Sequence, residues 1–242
     1  MRQFGLIGYP LSHSFSKNYF SQKFIDEGIA NCNYELYPIK SIEELPALLK
    51  TVPDLNGINV TIPYKEAVLP FLNEVSVAVK EIGACNCIRI KNGHLTGFNT
   101  DVTGFEQTIL PLLKPHHQKA LILGTGGASK AVAWVFNKLG IEYSYVSRKP
   151  WEGRLTYDRL DELIQQYQVI VNTTPLGMQP NINQMPSLPY RNLNSQYLCY
   201  DLIYNPAKTA FLQQAELYGA VIMNGSGMLQ IQAEESWKIW NS

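Results

Sequence analysis

The stretch ALILGTGGAS, residues 120–129, decides the fold of this chain. Its four apolar residues predict a buried strand, Gly124-Thr125-Gly126-Gly127 predicts a tight turn, and Lys130–Leu139 follows with a helical pattern. Glycine lets the backbone turn sharply and lets a pyrophosphate come close, while the free amides at the start of a helix attract negative charge. The segment therefore predicts a dinucleotide site.

The glycine spacing supports this interpretation only in part. The G-x-G-x-x-G fingerprint has a third glycine where this chain has Ser129. An ordinary glycine-rich turn between a strand and a helix is the alternative for this segment taken alone.

A second predicted strand, Glu142–Val146, ends in Ser147-Arg148-Lys149. An NAD-binding fold usually offers a carboxylate at this point to the ribose hydroxyls, whereas an arginine can pair with a 2′-phosphate through its planar guanidinium. The sequence therefore favours NADP over NAD. The alternative is that Arg148 and Lys149 are merely solvated charges after a strand.

The composition restricts the kinds of partner. The chain has 242 residues, enough for one large domain or two modest ones, with 20 Lys and Arg against 20 Asp and Glu. Without a basic excess or a polybasic stretch, we expect neither a nucleic acid nor a membrane surface as partner. A small-molecule substrate is expected instead.

The cysteines and the N-terminal segment predict the compartment. Residues 3–11 contain two glycines and a proline, so they predict a strand rather than a signal peptide, and no apolar stretch is long enough to span a bilayer. The cysteines form no C-x-x-C pair and the histidines no H-E-x-x-H motif. We expect a reduced cytoplasmic protein without a metal, although Cys85 and Cys87 could instead bind a metal with distant partners.

The chain divides into two α/β blocks, the first ending near Thr100 and the second starting near Lys119. A predicted helix over Val102–Leu113 links them, and residues 180–189 are predicted to form a surface loop. Strands separated by helical stretches predict a parallel sheet in the second block. Its predicted strands are Ala120–Leu123, Glu142–Val146, Val169–Asn172, Tyr197–Leu202 and Ala220–Ile222.

The first block offers candidate catalytic and binding groups. Ser14 and Ser16 stand at the start of a predicted helix, where each alone would more often be a cap. Lys65 follows a strand and a proline turn, which gives it a fixed direction for acid–base chemistry, although most such lysines are only solvated. Asp101 lies where the blocks meet and could hold Lys65 and a substrate hydroxyl, with an N-cap as the competing role.

The chain resembles the shikimate dehydrogenase family over nearly its whole length, through a set of motifs that occur in the same order. The motifs are H-S-x-S, N-V-T-I-P-x-K, G-A-x-N, N-T-D, G-x-G-G-A-S, N-T-T-P-L-G-M, Y-D-L-I-Y-N-P and G-M-L-x-x-Q-A. The resemblance implies an oxidoreductase that reversibly reduces 3-dehydroshikimate to shikimate with NADPH in aromatic amino acid biosynthesis. It also implies two α/β domains with a cleft between them: a substrate domain, residues 1–101 plus 226–242, and a Rossmann-like NADP-binding domain, residues 102–225.

The same resemblance implies roles for individual residues. Lys65 and Asp101 would form the catalytic pair. The substrate would be held by Ser14, Ser16, Thr61, Asn86, Tyr204 and Gln232. NADP(H) would be bound by Gly124, Thr125, Gly126, Gly127, Ala128, Ser147, Arg148, Lys149, Thr173, Thr174, Leu202 and Gly225.

Departures from the family pattern leave alternatives open. Cys87 stands where the family commonly has threonine, Ser226 replaces a common leucine, and the chain is short. One alternative is a relative that oxidises quinate, or both quinate and shikimate, with NAD or NADP. Ser16, which tends to be threonine in quinate users, and Arg148 argue against it. The other is a noncatalytic ligand-sensing module, which both Lys65 and Asp101 argue against. The sequence leaves monomer and homodimer equally open.

Overall fold

The computed structural model describes residues 1–11, 15–150 and 152–242. The backbone contacts separate the chain into two compact units. The first unit consists of Met1–Thr100 together with Gln232–Ser242, and the second of Asp101–Ile231. Since the first unit contains both chain termini, the second is inserted into it along the sequence.

The strands and helices alternate along the chain. The strands are β1 (Arg2–Gly8), β2 (Cys32–Pro38), β3 (Leu55–Val60), β4 (Glu74–Val75), β5 (Cys87–Lys91), β6 (His94–Phe98), β7 (Lys119–Leu123), β8 (Glu142–Ser147), β9 (Arg154–Thr156), β10 (Val169–Asn172), β11 (Leu198–Asp201) and β12 (Val221–Met223). The helices are α1 (Phe15–Asp26), α2 (Leu45–Thr51), α3 (Tyr64–Ala67), α4 (Val77–Ile82), α5 (Thr100–Ile109), α6 (Gly127–Leu139), α7 (Leu160–Leu163), α8 (Ala210–Leu217) and α9 (Ser226–Trp240).

Within the described ranges, the first unit holds a mixed sheet in the order β2-β1-β3-β5-β6-β4. Strands β1, β2 and β3 pair in parallel, whereas β5 is antiparallel to both β3 and β6. The carboxyl end of β3 leads directly into α3, which carries Lys65. The sheet therefore fixes the position of the lysine that the sequence proposed as catalytic.

The sheet of the second unit, as far as the structure describes it, has the order β12-β11-β10-β7-β8-β9 with every neighbouring pair parallel. Read from β7 in chain order, this is the 3-2-1-4-5-6 arrangement of a Rossmann fold. The strand order reverses between β7 and β10. In such sheets, ligands bind outside the carboxyl ends of the strands at this reversal.

The predicted α/β class and the parallel sheet are confirmed, with corrections to individual elements. Helix α6 starts at Gly127 rather than Lys130, and the linking helix ends as an α-helix at Ile109 before a short 3-10 turn. Strand β9 was not predicted. The predicted surface loop is not exposed throughout. Its residue Leu188 is buried in the hydrophobic cluster of the second unit that also contains Tyr190 and Phe211.

The last part of α9 packs in the first unit through an aromatic cluster. Trp240 is buried, stacks on Phe4 with ring centroids 4.9 Å apart, and donates from Nε1 to the carbonyl of Ile88 at 3.0 Å. A Cβ on Gly57 would come within 2.3 Å of the Trp240 ring, so only glycine fits beneath it. The C-terminal residues are therefore an integral part of the first unit.

In the described part of the chain, no helix is long and apolar enough to cross a membrane. The four cysteines, Cys32, Cys85, Cys87 and Cys199, are all free.

Candidate active site

The glycine turn lies where the strand order of the second unit reverses. Gly124 follows β7 with a φ of +107°, and a Cβ on it would lie 2.8 Å from Oγ1 of Thr173. Gly126 is extended, with φ −83° and ψ −177°, and a Cβ on it would meet no described atom within 4 Å. Gly124 therefore shapes the turn, whereas Gly126 leaves open space above the start of α6.

Helix α6 gives this turn an electrostatic character suited to an anion. Its first turn contains no acidic residue, and its amides and dipole present partial positive charge toward the loop. Ser129, at the third position of the fingerprint, is buried, and its amide and hydroxyl donate to the Gly126 carbonyl at 3.0 and 2.6 Å. Serine thus closes the turn from inside and leaves the outer face of the loop free.

The end of β8 lies beside the glycine turn, because Val146 pairs with Leu123. Ser147 is half-buried and its hydroxyl donates to the carbonyl of Lys149, while Arg148 and Lys149 are exposed. Burial raises the pKa of Tyr157, and the charge of nearby Arg148 opposes that rise. Two cations therefore stand where an NAD-binding fold would place a carboxylate.

Thr173 and Thr174 follow β10, on the other side of the reversal point. The hydroxyl of Thr173 donates to the Leu123 carbonyl at 2.7 Å, which ties the end of β10 to the end of β7. The amide and hydroxyl of Thr174 donate to Oδ1 of Asn172 at 3.0 and 2.6 Å. These contacts hold both threonines at the edge of the sheet that carries the glycine turn.

A buried polar network lies beneath this edge. Asp201, at the end of β11, is fully buried and accepts hydrogen bonds from Asn172 at 3.0 Å, from the amide of Ile203 at 3.1 Å and from Thr209 at 2.5 Å. Burial raises the pKa of the Asp201 carboxyl to about 6, against the effect of these hydrogen bonds. The network connects the loops after β10 and β11.

Gly225 and Leu202 make a close backbone contact in the second unit. A Cβ on Gly225 would lie 2.0 Å from the Leu202 carbonyl oxygen, so a side chain there would displace the loop after β11. The Gly225 amide donates to the Ile203 carbonyl at 3.1 Å. Tyr204, in the same loop, is 39% exposed.

In the first unit, Lys65 and Thr61 lie just past the carboxyl end of β3. The Thr61 amide donates to Ile7 at 3.0 Å, and the Tyr64 amide donates to the Thr61 carbonyl at 2.9 Å. The Lys65 carbonyl accepts from the Cys85 amide at 2.7 Å. Both residues are half-buried, on a backbone that is hydrogen-bonded on either side.

Asn86 lies beside this segment, and only the oxygen of its side-chain amide makes hydrogen bonds within the described structure. Its Oδ1 accepts from the amide and hydroxyl of Thr100 at 2.7 and 3.3 Å, and its Nδ2 has no hydrogen-bond partner among the described residues. Nearby, Asn99 is buried and donates to the Ala84 carbonyl at 2.9 Å, but its Oδ1 has no partner in the described structure. The segment thus offers an unused donor and an unused acceptor.

Ser16 and Gln232 complete the candidate substrate residues of the first unit. Ser16 is half-buried in the first turn of α1, and its side chain interacts with Tyr34, where it opposes the rise that burial causes in the pKa of that tyrosine. Gln232 is half-buried in α9, and its carbonyl accepts from the Ser236 hydroxyl at 2.8 Å. Ser14 lies outside the described residues.

Asp101 is buried in the first turn of α5. The predicted N-cap role is wrong, because α5 begins at Thr100 and Asp101 therefore already lies inside the helix. A carboxylate in a first helical turn interacts favourably with the helix dipole. By the contact division, Asp101 and Tyr204 belong to the second unit and Lys65 to the first.

The structure thus places the predicted cofactor residues at one edge of the parallel sheet and around the loop after β11. Thr125 and Ala128 lie in the same turn, exposed and half-buried, respectively. The sequence analysis missed the supporting residues Asn59, Ser236 and Asp201, although Asn59 and Asp201 stand inside quoted motifs. For Asn59 and Asp201 the signal was a polar residue in or at the end of an otherwise apolar strand, whereas Ser236, inside α9, had no such signal.

Comparison with known proteins gives one consistent result. A model of the shikimate dehydrogenase substrate binding domain matches residues 6–88. Shikimate dehydrogenase (NADP(+)) of Carboxydothermus hydrogenoformans is 39% identical over 98% of this chain and 90% of its own length. The crystal structure of shikimate dehydrogenase 1 from Peptoclostridium difficile is 35% identical with a TM-score of 0.87, covering 100% of this chain and 92% of that one. The crystal structure of Thermus thermophilus shikimate 5-dehydrogenase in complex with NADP(H) and shikimate is 30% identical, with a TM-score of 0.87. The match covers 99% of this chain and 93% of that one.

Proposed function

Because the chain belongs to the shikimate dehydrogenase family, we propose that it catalyses the reversible NADPH-dependent reduction of 3-dehydroshikimate to shikimate in aromatic amino acid biosynthesis. The observation that carries this proposal is the glycine turn at the reversal of a 3-2-1-4-5-6 sheet, in a chain whose similarity to these enzymes spans 98% of its length. We assign the substrate to the first unit and NADP(H) to the second. Two expectations stay predictions: a cleft between the two domains and a cytoplasmic location. Both a monomer and a homodimer are consistent with the sequence.

The residues of the second unit fit NADP(H). The turn from Gly124 to Ala128 would bind the pyrophosphate, since Gly126 leaves the space and α6 supplies amides and a favourable dipole. Ser147, Arg148 and Lys149 would bind the 2′-phosphate, because a guanidinium and an ammonium are donors only and match its charge. Thr173, Thr174, Leu202 and Gly225 would border the rest of the cofactor. NADPH, when bound, supplies the hydride that the reaction needs.

The residues of the first unit suit a polyhydroxylated carboxylate. Asn86 has an unused Nδ2 donor, and the hydroxyls of Ser16 and Thr61 are half-buried beside ordered backbone. We propose that these groups, with Gln232, bind the hydroxyls and carboxylate of the substrate, together with Ser14 and Tyr204. The hydroxyl and amide groups of these residues can donate to the substrate carboxylate and can both donate to and accept from its hydroxyls.

Lys65 and Asp101 are the proposed catalytic residues. Lys65 would donate a proton to the oxygen of the carbonyl as it becomes a hydroxyl, and would accept that proton in the reverse direction. Its main chain is fixed by the Cys85 amide at 2.7 Å, which limits the positions open to the ammonium group. Asp101, buried and in a helical first turn, would hold the reacting hydroxyl as an acceptor.

The first test is reduction of NADP+ by the purified protein with shikimate, beside quinate and beside NAD+, followed by NADPH absorbance. Turnover chiefly with shikimate and NADP+ is the expected result. Turnover chiefly with quinate or NAD+ would instead indicate the quinate-oxidising alternative, and no turnover with any pair would indicate a ligand-sensing module.

The role of Lys65 has its own test. We expect Lys65→Ala to lower kcat by about 10²- to 10⁴-fold, the usual contribution of a general acid, with a similar KM for shikimate. Lys80→Ala, which removes an exposed lysine from α4 of the same unit, is the matched control and should leave both constants unchanged. Full activity of the Lys65 variant would remove this residue from the mechanism.

A further inference from the structure

Asn59, on β3 of the first unit, lies at the centre of a set of side-chain hydrogen bonds. Its Oδ1 accepts from the Tyr34 hydroxyl at 3.0 Å. Its Nδ2 donates to the Asn86 carbonyl at 3.3 Å and to Oγ of Ser236 at 2.9 Å. Three groups from three separate parts of the chain are therefore hydrogen-bonded to one amide, which uses both its donor and its acceptor side.

The contact with Ser236 reaches Gln232. Ser236 is fully buried, accepts from Asn59, and donates its hydroxyl to the Gln232 carbonyl at 2.8 Å, one turn earlier on α9. A serine hydroxyl that donates within its own helix is free to accept a second bond from outside. Asn59 thus fixes the turn of α9 that carries Gln232 against β3.

The contact with Tyr34 reaches Ser16. Tyr34 is buried, and its ring stacks on Phe20 with centroids 4.7 Å apart, so it has little rotational freedom. Its hydroxyl donates to Asn59, and its interaction with the side chain of Ser16 opposes the rise that burial causes in the pKa of Tyr34. Ser16, in the first turn of α1, is therefore connected to β3 through one rigid ring.

The contact with Asn86 is direct. The Asn86 carbonyl accepts from Nδ2 of Asn59 and from the amide of Val60 at 2.9 Å, while its Oδ1 accepts from Thr100. Both the backbone and the oxygen side of the Asn86 amide are thereby held. Because the side-chain amide is planar, Nδ2 lies on the opposite side of the amide carbon from Oδ1. It therefore points away from Thr100.

We propose that Asn59 is a positioning residue for the substrate: its single amide sets the mutual positions of Ser16, Asn86 and Gln232. This inference rests on the proposed function, because it takes those residues as substrate ligands. Ser16 and Gln232 are far apart in the sequence, and a ligand that contacts both gains affinity when their separation is fixed before binding. Aspartate has the acceptor but lacks the two N–H donors, so it cannot replace Asn59 in this role.

The test compares Asn59→Asp and Ser236→Ala with the wild-type enzyme. We expect Ser236→Ala to raise the KM and the calorimetric Kd for shikimate about 3- to 10-fold, because α9 loses its hydrogen bond from Asn59, with kcat nearly unchanged. Asn59→Asp should raise both constants by about 10-fold or more, since two donors are lost. The Kd for NADPH should stay at its wild-type value in both. Asn56→Asp makes the same substitution on the same strand outside the network and should change neither constant.

A double-mutant cycle separates positioning from general structural damage. If Ser236 acts through Gln232, Ser236→Ala should have no further effect on the shikimate Kd in a Gln232→Ala background. Fully additive effects, or an unchanged Kd in both single variants of a working enzyme, would overturn the inference and leave the proposed function standing. Absence of shikimate turnover and binding in the wild-type protein would overturn the proposed function and this inference together. Because Ser236→Ala is a mild change, the test does not depend on the folding of the Asn59 variant.

Discussion

Gly124 and Gly126, two of the three glycines of the proposed cofactor turn, should respond to the same substitution in different ways. Gly124 has a φ of +107°, in the range that favours glycine, and an added Cβ would lie 2.8 Å from Oγ1 of Thr173 and 3.1 Å from Cγ2 of Thr174. Gly126 has an extended conformation that any residue adopts, and an added Cβ meets no described atom within 4 Å. Gly124→Ala should therefore lower the stability of the folded protein. Gly126→Ala should leave stability unchanged and only fill part of the open space above the turn.

The magnitudes follow from these geometries. Backbone strain at a positive φ costs about 1–3 kcal/mol, so we expect Gly124→Ala to lower the melting temperature of the free protein by about 3–12 °C. Gly126→Ala should leave that temperature within about 1 °C, because a surface change without a clash costs under about 0.5 kcal/mol. If its methyl group keeps a phosphate from one charge-assisted amide contact, about 1.5–3 kcal/mol is lost, which is about a 10- to 100-fold rise in the Kd for NADPH.

The assay is differential scanning calorimetry of the free protein, followed by titration with NADPH detected by fluorescence. The Kd for shikimate serves as the internal control and should change little in Gly126→Ala. Wild-type affinity for NADPH in Gly126→Ala would refute the assignment of the pyrophosphate to this turn. An unchanged melting temperature for Gly124→Ala would refute the strain argument.

Three further predictions concern stability. Trp240→Ala should lower the free energy of unfolding in urea by about 3–5 kcal/mol, whereas Trp240→Phe, which keeps an aromatic ring but loses the hydrogen bond to Ile88 and part of the ring volume, should cost less, about 1–3 kcal/mol; equal losses would contradict a packing role. Burial alone would raise the pKa of Glu234, but the hydrogen bonds from Tyr19 and Lys23 lower it overall, so its contribution is present above the usual glutamate pKa and lost as the pH falls through the lowered value. Glu234→Gln should therefore cost about 1 kcal/mol at about pH 7 and progressively less as the pH falls below the usual glutamate pKa, and a loss independent of pH would contradict this. For Asp201, whose pKa is raised to about 6, the penalty grows as the pH rises from about 4 to 6, so the melting temperature of Asp201→Asn should rise relative to wild type over that interval; a constant difference would show that its ionisation does not affect folding.

The local patterns of the sequence were sufficient for the strand, turn and helix at the proposed cofactor site. A strand, a glycine turn and a helix occupy consecutive positions, so their relation depends on short-range backbone geometry, and the parallel sheet follows from strands alternating with helices. Ser129 shows the limit of such motifs. Its hydroxyl and amide both bond the Gly126 carbonyl, so a departure from the fingerprint does not open the turn.

The substrate half depended more on resemblance. Ser16 and Lys65, taken alone, favoured a cap and a solvated lysine, because a single polar residue after a turn has several common structural roles. The N-cap role considered for Asp101 was wrong by two residues, since the boundary of α5 is set by backbone geometry that no pattern fixes so closely.

The sequence by itself determined the family and the α/β class, because these are written in contiguous motifs; the roles of the individual site residues stay predictions. Only the tertiary structure decided that Trp240 sits over Gly57, that Asp201 lies buried beneath the cofactor loops, and that Asn59 connects Tyr34, Asn86 and Ser236. Each of these depends on side chains that meet across long stretches of chain. Such contacts are selected by packing and by the need of buried polar groups for partners, and neither leaves a periodic signal in the sequence.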